Sequence, residues 1–410
     1  MEKNSLFRVR LRTINSLLLV AFAFIIPMWI APAYILSGLI MLLLLVQGDF
    51  KNDYYKIREN KLVWALIAYF LLHVVGLLWT SNTADGLNKV ARASLFLLVP
   101  VFMLSLKKEH VKLAIWSFLA SMMLSCLLSF IIYFQVDPVH FKFNSQGDPI
   151  IFISRVYYSL YLVMAIAFSL YYFLFYPSAG KGLKIVSFIV TISLVFDLFI
   201  CNGRAGQVIL FFLLVIVVFQ YFGKRWLRAF VAIIIAIPLL FLIAFKTVKP
   251  FQDRVQLGIE DIVQYQTNQA TSLGQRFVYA KNSFEIFYEH PLLGVGTGDF
   301  EDELLKKHQK NNAKIRFDVD PHNMFLLEMG QFGVLGLISL LSILYAQISI
   351  ALRSNIPMQK YLGLSLPIMF GAVMMSDIYL QLHFTAMLFI LVSAIVYRSH
   401  LHDGQYHVSQ

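Results

Sequence analysis

Apolar runs of about 20 residues recur along most of this chain, and they constrain its fold more than any other feature. A helix needs roughly 20 apolar residues to cross the hydrocarbon core of a bilayer. Of the 410 residues, 59% are hydrophobic and only 14% are charged, whereas a water-soluble domain carries about 25% charged residues. The sequence therefore predicts an all-α integral membrane protein.

The apolar runs predict about twelve transmembrane helices in three parts. An N-terminal membrane bundle of about nine helices covers 1–246, a large polar loop with short helices covers 247–321, and about three helices with a short tail cover 322–410. Two short helices joined by a turn near Pro27 and Pro32 account for 14–47, because proline interrupts the backbone ladder of a helix. The other predicted spans are 61–79, 90–106, 111–136, 156–176, 184–201, 205–222, 227–246, 324–352, 359–376 and 381–397.

Positive charge sets the predicted orientation of these helices. With both termini in the cytoplasm, the short inner segments hold 19 lysines and arginines, and every loop follows the positive-inside rule. The large loop then lies on the outer face. Because the basic residues fall in these short clusters, the formal net charge of +11 indicates topology and not nucleic-acid binding. No small-residue cleavage site follows the first apolar run, so we interpret it as a retained span. The short outer segments hold only Lys89, Arg92, Lys142, Arg155 and Arg204.

Three arginines at the predicted outer rim are candidates for anion binding. Arg204 lies between two spans in Asn202-Gly203-Arg204-Ala205-Gly206, Arg276 lies in the large loop, and Arg155 begins a span. An arginine at a helix end can simply reach lipid headgroups, and for Arg155 this alternative stays open. Arg204 has flanking glycines that allow close approach to a ligand. The planar guanidinium suits phosphate, so we favour phosphate binding for Arg204 and Arg276.

His322 precedes a span in Asp320-Pro321-His322-Asn323 and is a candidate general base, because histidine exchanges a proton near neutral pH. It could equally pack against the start of the helix. The Gly-rich segment 294–298 lacks the lysine of a nucleotide-binding loop, and we interpret it as a tight turn. Asp377 is assigned a packing or hydrogen-bonding role. No cluster has the spacing of metal ligands, so neither metal nor cofactor is expected.

The large loop contains the segment His290-Pro291-Leu292-Leu293-Gly294-Val295-Gly296. His322-Asn323 precedes the next span and is followed nine residues later by Gly333-Val334-Leu335-Gly336. The first motif is similar to an element of the O-antigen ligase and polymerase superfamily, and the second matches the ligase pattern of that superfamily. The Arg204 segment resembles another family turn. Leu337 stands where the family often has threonine, which moves the interpretation slightly towards a polymerase.

This resemblance implies a GT-C-like fold in the bacterial inner membrane, with the active site facing the periplasm. It implies transfer of a glycan from undecaprenyl diphosphate to lipid A-core oligosaccharide, without nucleotide or metal and with inversion. Arg204, Arg276 and Arg155 would bind the diphosphate, His322 would be the base, and Asn323 would orient His322 or cap the following helix. The alternatives are a polymerase of the same lipid-linked repeat units, a glycan-to-protein ligase and, in another class, a polysaccharide transporter. The expected partners are the undecaprenyl diphosphate-linked glycan donor, a lipid A-core or other glycan acceptor and membrane lipids, and no nucleic acid is expected.

Overall fold

The structure, a computed structural model, describes residues 2–136, 149–201, 203–264, 272–311 and 320–398, and within these ranges it is helical without strands. Lys142 and Asn202 lie outside the described residues, as does the tail beyond 398. The helices are α1 (Glu2–Ile25), α2 (Ile30–Gln47), α3 (Phe50–Ile57), α4 (Lys61–Val75), α5 (Thr83–Ser94), α6 (Leu98–Ser105), α7 (Val111–Tyr133), α8 (Arg155–Leu170), α9 (Lys181–Ile200), α10 (Arg204–Phe222), α11 (Trp226–Thr247), α12 (Lys249–Gln264), α13 (Ser272–Glu289), α14 (Phe300–Lys310), α15 (Met324–Arg353), α16 (Pro357–Val373) and α17 (His383–Tyr397).

Nine helical segments within the described ranges are long and apolar enough to cross a bilayer. The prediction of an all-α, multi-pass membrane protein is therefore confirmed. The count of twelve stays a prediction, as do the GT-C-like fold and the three-part division. Among the remaining helices, α16 and α17 have 17 and 15 residues, fewer than the roughly 20 that cross a bilayer. The nine segments are Ile30–Gln47, Lys61–Trp79, Thr83–Ser105, Lys108–Tyr133, Arg155–Phe175, Lys181–Ile200, Arg204–Phe222, Trp226–Thr247 and Met324–Arg353.

Prolines set several helix boundaries as the sequence predicts. Pro27 lies in the turn between α1 and α2, and Pro32 lies in the first turn of α2, where its missing N–H has no helical partner to lose. In the large loop, α13 ends at Glu289, directly before His290-Pro291. Both predicted interruptions are confirmed.

The centre of the bundle is formed by α8, which is buried along nearly its whole length. It packs against α7, α9 and α10. Because α8 begins at Arg155, this arginine lies where the most buried of the nine segments reaches one end of the bundle.

Helix α15 is kinked at Gly333, and the kink receives part of the large loop. Gly333 has a φ of 62°, in the left-handed region that glycine adopts without strain. The Val334 N–H donates to the Pro291 carbonyl at 2.8 Å, and the Val295 N–H donates to the Gly330 carbonyl at 3.0 Å. Residues 291–298 and 330–334 thus form one hydrogen-bonded unit, which we call the glycine joint.

The polar groups of the Gly-rich turn inside the glycine joint form hydrogen bonds to other parts of the protein. The Gly296 N–H donates to the Gln331 carbonyl at 2.9 Å. The Thr297 hydroxyl donates to the His73 carbonyl at 2.8 Å, and the Gln331 amide donates to the Thr297 carbonyl at 2.9 Å. The interpretation of this segment as a tight turn is confirmed. Because these polar groups already form hydrogen bonds within the protein, the turn serves to fasten the loop to α4 and α15.

We expect Gly333→Ala to destabilise the protein. A Cβ at this position would lie 2.5 Å from the Leu292 carbonyl carbon and 2.5 Å from the Pro291 carbonyl oxygen, and both are backbone atoms. With a ψ of −145°, this positive-φ conformation is one that essentially only glycine adopts, and it costs another residue about 1–3 kcal/mol. Thermal unfolding in detergent should show a clearly lower midpoint. Gly38→Ala is the matched control, because its Cβ would meet nothing within 4 Å. Equal midpoints for both variants would contradict this account of the joint.

Candidate active site

Arg155, Arg204 and Arg276 line one cavity of about 360 Å³ at one end of the helix bundle. They come from three separate elements, since Arg155 begins α8, Arg204 begins α10 and Arg276 lies in α13. Arg254 of α12 lines the same cavity. The structure therefore brings together all three arginines that the sequence singled out and adds a fourth. Their binding roles stay predictions.

Glycines beside Arg204 allow α10 to begin directly against α8. A Cβ at Gly203 would lie 2.4 Å from the Ser159 Cβ, and a Cβ at Gly206 would lie 2.6 Å from the Ser159 carbonyl oxygen. The sequence suggested that these glycines let the backbone approach a ligand. In the structure the neighbour that needs this space is Ser159 of α8, and the close packing sets Arg204 near Arg155.

The segment between α16 and α17 also lines the cavity, through Ser376, Asp377 and Tyr379. The Met324 N–H, at the start of α15, donates to the Met374 carbonyl at 2.8 Å. This bond fixes the segment against the beginning of α15. As a result, Asp377 lies between the arginine-lined space and the residues that precede α15.

His322 is adjacent to the cavity through Asp377, with its Nδ1 atom 3.5 Å from the Asp377 Oδ1 atom. Its φ of 47° is unusual for a residue other than glycine. The His322 backbone N–H donates to the Asp320 carboxylate at 2.8 Å, and the imidazole centroid lies 5.7 Å from that of Tyr279. Backbone, carboxylate and ring contacts together hold a partly exposed imidazole in one orientation. This arrangement suits a side chain that must accept a proton from a bound group.

Asn323 caps α15. Its side-chain oxygen accepts hydrogen bonds from the Phe325 and Leu326 N–H groups at 2.9 and 3.1 Å. The amide nitrogen donates to the Met375 carbonyl at 3.3 Å. The predicted capping role is confirmed, and the amide also joins α15 to the segment that carries Asp377. Substrate binding by Asn323 stays a prediction.

Asp320, His322 and Asp377 offer ligand atoms within 4.8 Å of one another, which is close enough to hold one metal ion. The same geometry serves a histidine oriented by carboxylates. We favour the second interpretation because four arginines line the neighbouring cavity and would repel a cation. The chemistry of the lining accordingly fits an anionic ligand.

Cations from the large loop are partly neutralised by nearby acids. Lys307 lies 2.5 Å from Glu289, and its hydrogen bond lowers the pKa of the Glu289 carboxyl. Lys306 pairs with Glu303 at 2.7 Å. Lys314 and Arg316, further along the same loop, lie outside the described residues. The arginine cavity is therefore the main described concentration of positive charge at the candidate site.

Sequence reasoning does not single out Arg254, and it assigns Asp377 a packing or hydrogen-bonding role. The Asp377 carboxylate accepts a hydrogen bond from the Ile378 N–H at 2.8 Å, in agreement with that assignment. Its place beside His322 and the arginines makes it a further candidate, and the alternation of spans puts it on the same outer side as Arg204 and His322. This shared side is a sequence signal that Asp377 can lie near those two residues. The sequence signal for Arg254 is weaker, because this residue follows a predicted span by only a few residues and lies in a segment of mixed polarity.

Residues 189–341 match the family model described as O-antigen ligase. The resemblance to the O-antigen ligase superfamily is confirmed. The matched region is similar to that family from within α9 to within α15, and it contains Arg204, Arg254, Arg276 and His322. Arg155 and Asp377 lie outside it, on either side in the sequence. No curated protein matches this chain.

Proposed function

We propose that this protein transfers a glycan from undecaprenyl diphosphate to lipid A-core oligosaccharide on the periplasmic face of a bacterial inner membrane. The observation that carries the proposal is the cavity lined by four arginines beside the His322–Asp377 pair. The O-antigen ligase match over 189–341 supports the same chemistry. The arginines suit a diphosphate, and the histidine suits a hydroxyl acceptor.

In the proposed reaction the acceptor hydroxyl oxygen attacks the anomeric carbon of the donor sugar. The bond between that carbon and the diphosphate oxygen breaks, and its electron pair stays on the diphosphate. His322 accepts the hydroxyl proton, and Asp377 stabilises the resulting imidazolium. Arg204, Arg276 and Arg155 stabilise the charge on the leaving diphosphate. Attack on the face opposite the leaving group inverts the anomeric configuration, and these side chains need no metal to perform the steps.

The orientation rests on the alternation of the spans. Chain segments that the alternation of the spans assigns to the outer face contribute Arg155, Arg204, Arg276 and Asp377 to one cavity. Their meeting supports both termini in the cytoplasm and the 247–321 loop in the periplasm. A lipid-linked donor could then enter from the bilayer while the glycan extends into water.

Deletion of the gene followed by analysis of surface glycans tests this proposal. We expect complete loss of long glycan on lipid A-core and accumulation of the lipid-linked donor. Purified protein in liposomes that hold donor and acceptor on one face should restore transfer. Leu337, which stands where the family often has threonine, keeps a polymerase as the second candidate. A single repeat unit still attached to the core in the deletion strain would indicate that polymerase, and unchanged glycans would contradict both.

A further inference from the structure

Six aromatic rings meet where the starts of α2, α8 and α17 come together. Three chain segments contribute two rings each, and each ring contacts a ring of another segment, with centroids 5.4 to 5.8 Å apart. The Tyr34 hydroxyl and the Nδ1 atom of His383 are also hydrogen-bonded at 2.5 Å. We call this set the aromatic cluster, and its members are Trp29, Tyr34, Phe152, Tyr157, His383 and Phe384.

The aromatic cluster lies beside the proposed base and outside the arginine cavity. Tyr157 is in the first turn of α8, and the Asp377 carboxylate acts electrostatically on its hydroxyl. His383 begins α17 and belongs to the same short stretch of chain as Asp377. The six rings are not among the residues that line the arginine cavity. The cluster is therefore a separate surface that adjoins the His322–Asp377 pair.

Arg92 supplies a positive charge to the aromatic cluster. It lies in the last turn of α5, within the apolar segment Thr83–Ser105, and is partly exposed. Its guanidinium acts electrostatically on both Tyr34 and His383. Directly after Arg92, residues 95–97 and α6 pack against α17, and α6 also packs against α2. The chain thus places this cation next to two of the helices that carry the rings.

The two basic residues of α5 differ in their partners. Lys89 pairs with Asp85 at 3.1 Å and with Glu301 at 3.3 Å. Arg92 forms no salt bridge in the part of the chain that the structure describes. An ionisable side chain within a membrane-spanning segment is costly and marks a functional site by default. A cation that has no acid of its own here indicates an anionic partner from outside the chain.

We propose that the aromatic cluster and Arg92 bind the acceptor, and that this acceptor is a saccharide carrying an anionic group. This inference rests on the proposed function and adds the chemistry of the acceptor. The C–H groups on one face of a sugar ring pack against aromatic rings, and its hydroxyls bond to the polar atoms of Tyr34 and His383. Arg92 holds the anionic group with its planar guanidinium. The acceptor then reaches the His322–Asp377 pair while the arginine cavity holds the donor.

Binding of two soluble probes to the full-length protein in detergent tests this assignment. The probes are a synthetic oligosaccharide that carries one phosphate monoester and the same oligosaccharide without the phosphate. We expect the wild type to bind the phosphorylated probe about tenfold more tightly, because it gains a charge-assisted hydrogen bond. Arg92→Gln should remove this preference and leave the affinity for the unphosphorylated probe unchanged. Arg92→Lys should keep part of the preference because the charge remains.

Trp29→Ala tests the rings separately from the charge. The Trp29 side chain is 54% exposed, so its loss should not unfold the protein. We expect this variant to weaken the binding of both probes by the same factor, about threefold to tenfold. Lys281→Gln is the control for charge, because Lys281 is exposed on α13. It should leave both affinities unchanged.

An anionic lipid headgroup is another source of phosphate for Arg92, and added phosphatidylglycerol distinguishes the two. Full displacement of the phosphorylated probe by this lipid would identify a headgroup site and overturn the proposal. Equal affinities of the wild type for the two probes, or an unchanged preference in Arg92→Gln, would also overturn it. Farnesyl diphosphate, a mimic of the donor, should bind equally to the wild type and to Arg92→Gln. Failure of the wild type to bind farnesyl diphosphate would contradict the donor site of the proposed function, whereas failure to bind the phosphorylated oligosaccharide would contradict only the acceptor site.

Discussion

We expect His322→Asn to lower glycan transfer by about 10²- to 10⁴-fold, the usual contribution of a positioned general base. Asparagine tolerates the left-handed backbone that His322 adopts, with its φ of 47°, but it does not act as a base at neutral pH. The substitution should therefore remove the proton acceptor without unfolding the start of α15. The measurement is the rate of transfer in liposomes with saturating lipid-linked donor.

His290→Asn is the matched control for this experiment. His290 is exposed at the end of α13 and does not line the arginine cavity. Its replacement makes the same chemical change and should leave transfer close to that of the wild type. Donor binding by His322→Asn should also stay near the wild-type value, because the histidine acts on the acceptor. Near-normal transfer by His322→Asn would eliminate the assignment of His322 as the base.

The second large effect is expected at Arg276, where replacement by glutamine should reduce transfer by about 10²- to 10³-fold. Removal of one donor to a developing negative charge typically costs this much. Arg276→Gln should also weaken donor binding, because the diphosphate is charged before the reaction begins. Arg276→Lys should be intermediate, since lysine keeps the charge but loses the planar fork that holds two oxygens.

Lys281→Gln supplies the comparison for Arg276. Lys281 is exposed on the same helix, α13, and does not line the cavity. We expect its loss to leave both transfer and donor binding unchanged. Full activity of Arg276→Gln would remove Arg276 from the diphosphate site, whereas equal loss in both α13 variants would indicate a general charge effect of the loop.

The helices and the outer-face residues could be predicted because their signals are local or additive. Each apolar run is recognisable as a membrane span from its own residues, and each basic cluster indicates on which side of the membrane it lies. Alternation of these sides assigned Arg155, Arg204, Arg276 and His322 to the same face. The structure then brings the three arginines into one cavity, with His322 beside it.

Other parts of the site depend on packing between distant segments, which local patterns do not encode. The contact between Asp377 and His322 follows from the bond that joins Met374 to the start of α15. The glycines beside Arg204 looked suited to a ligand, whereas the space that they leave accommodates Ser159. In both cases the residue type indicated a polar contact or a close approach. Which residue is contacted depends on how the helices pack together.

The glycine joint also constrains the order in which the protein can be completed during synthesis. The Thr297 hydroxyl donates to the His73 carbonyl near the end of α4, although 224 residues separate them. At about 5–20 residues per second, the ribosome needs on the order of ten seconds or more to reach Thr297 after His73 has been made. A nascent chain that stops before the joint leaves this carbonyl at membrane depth without its final donor, where unmet backbone groups are costly. Premature truncation anywhere upstream of the joint should thus mark the early helices for removal by membrane quality control, even though each helix can insert by itself.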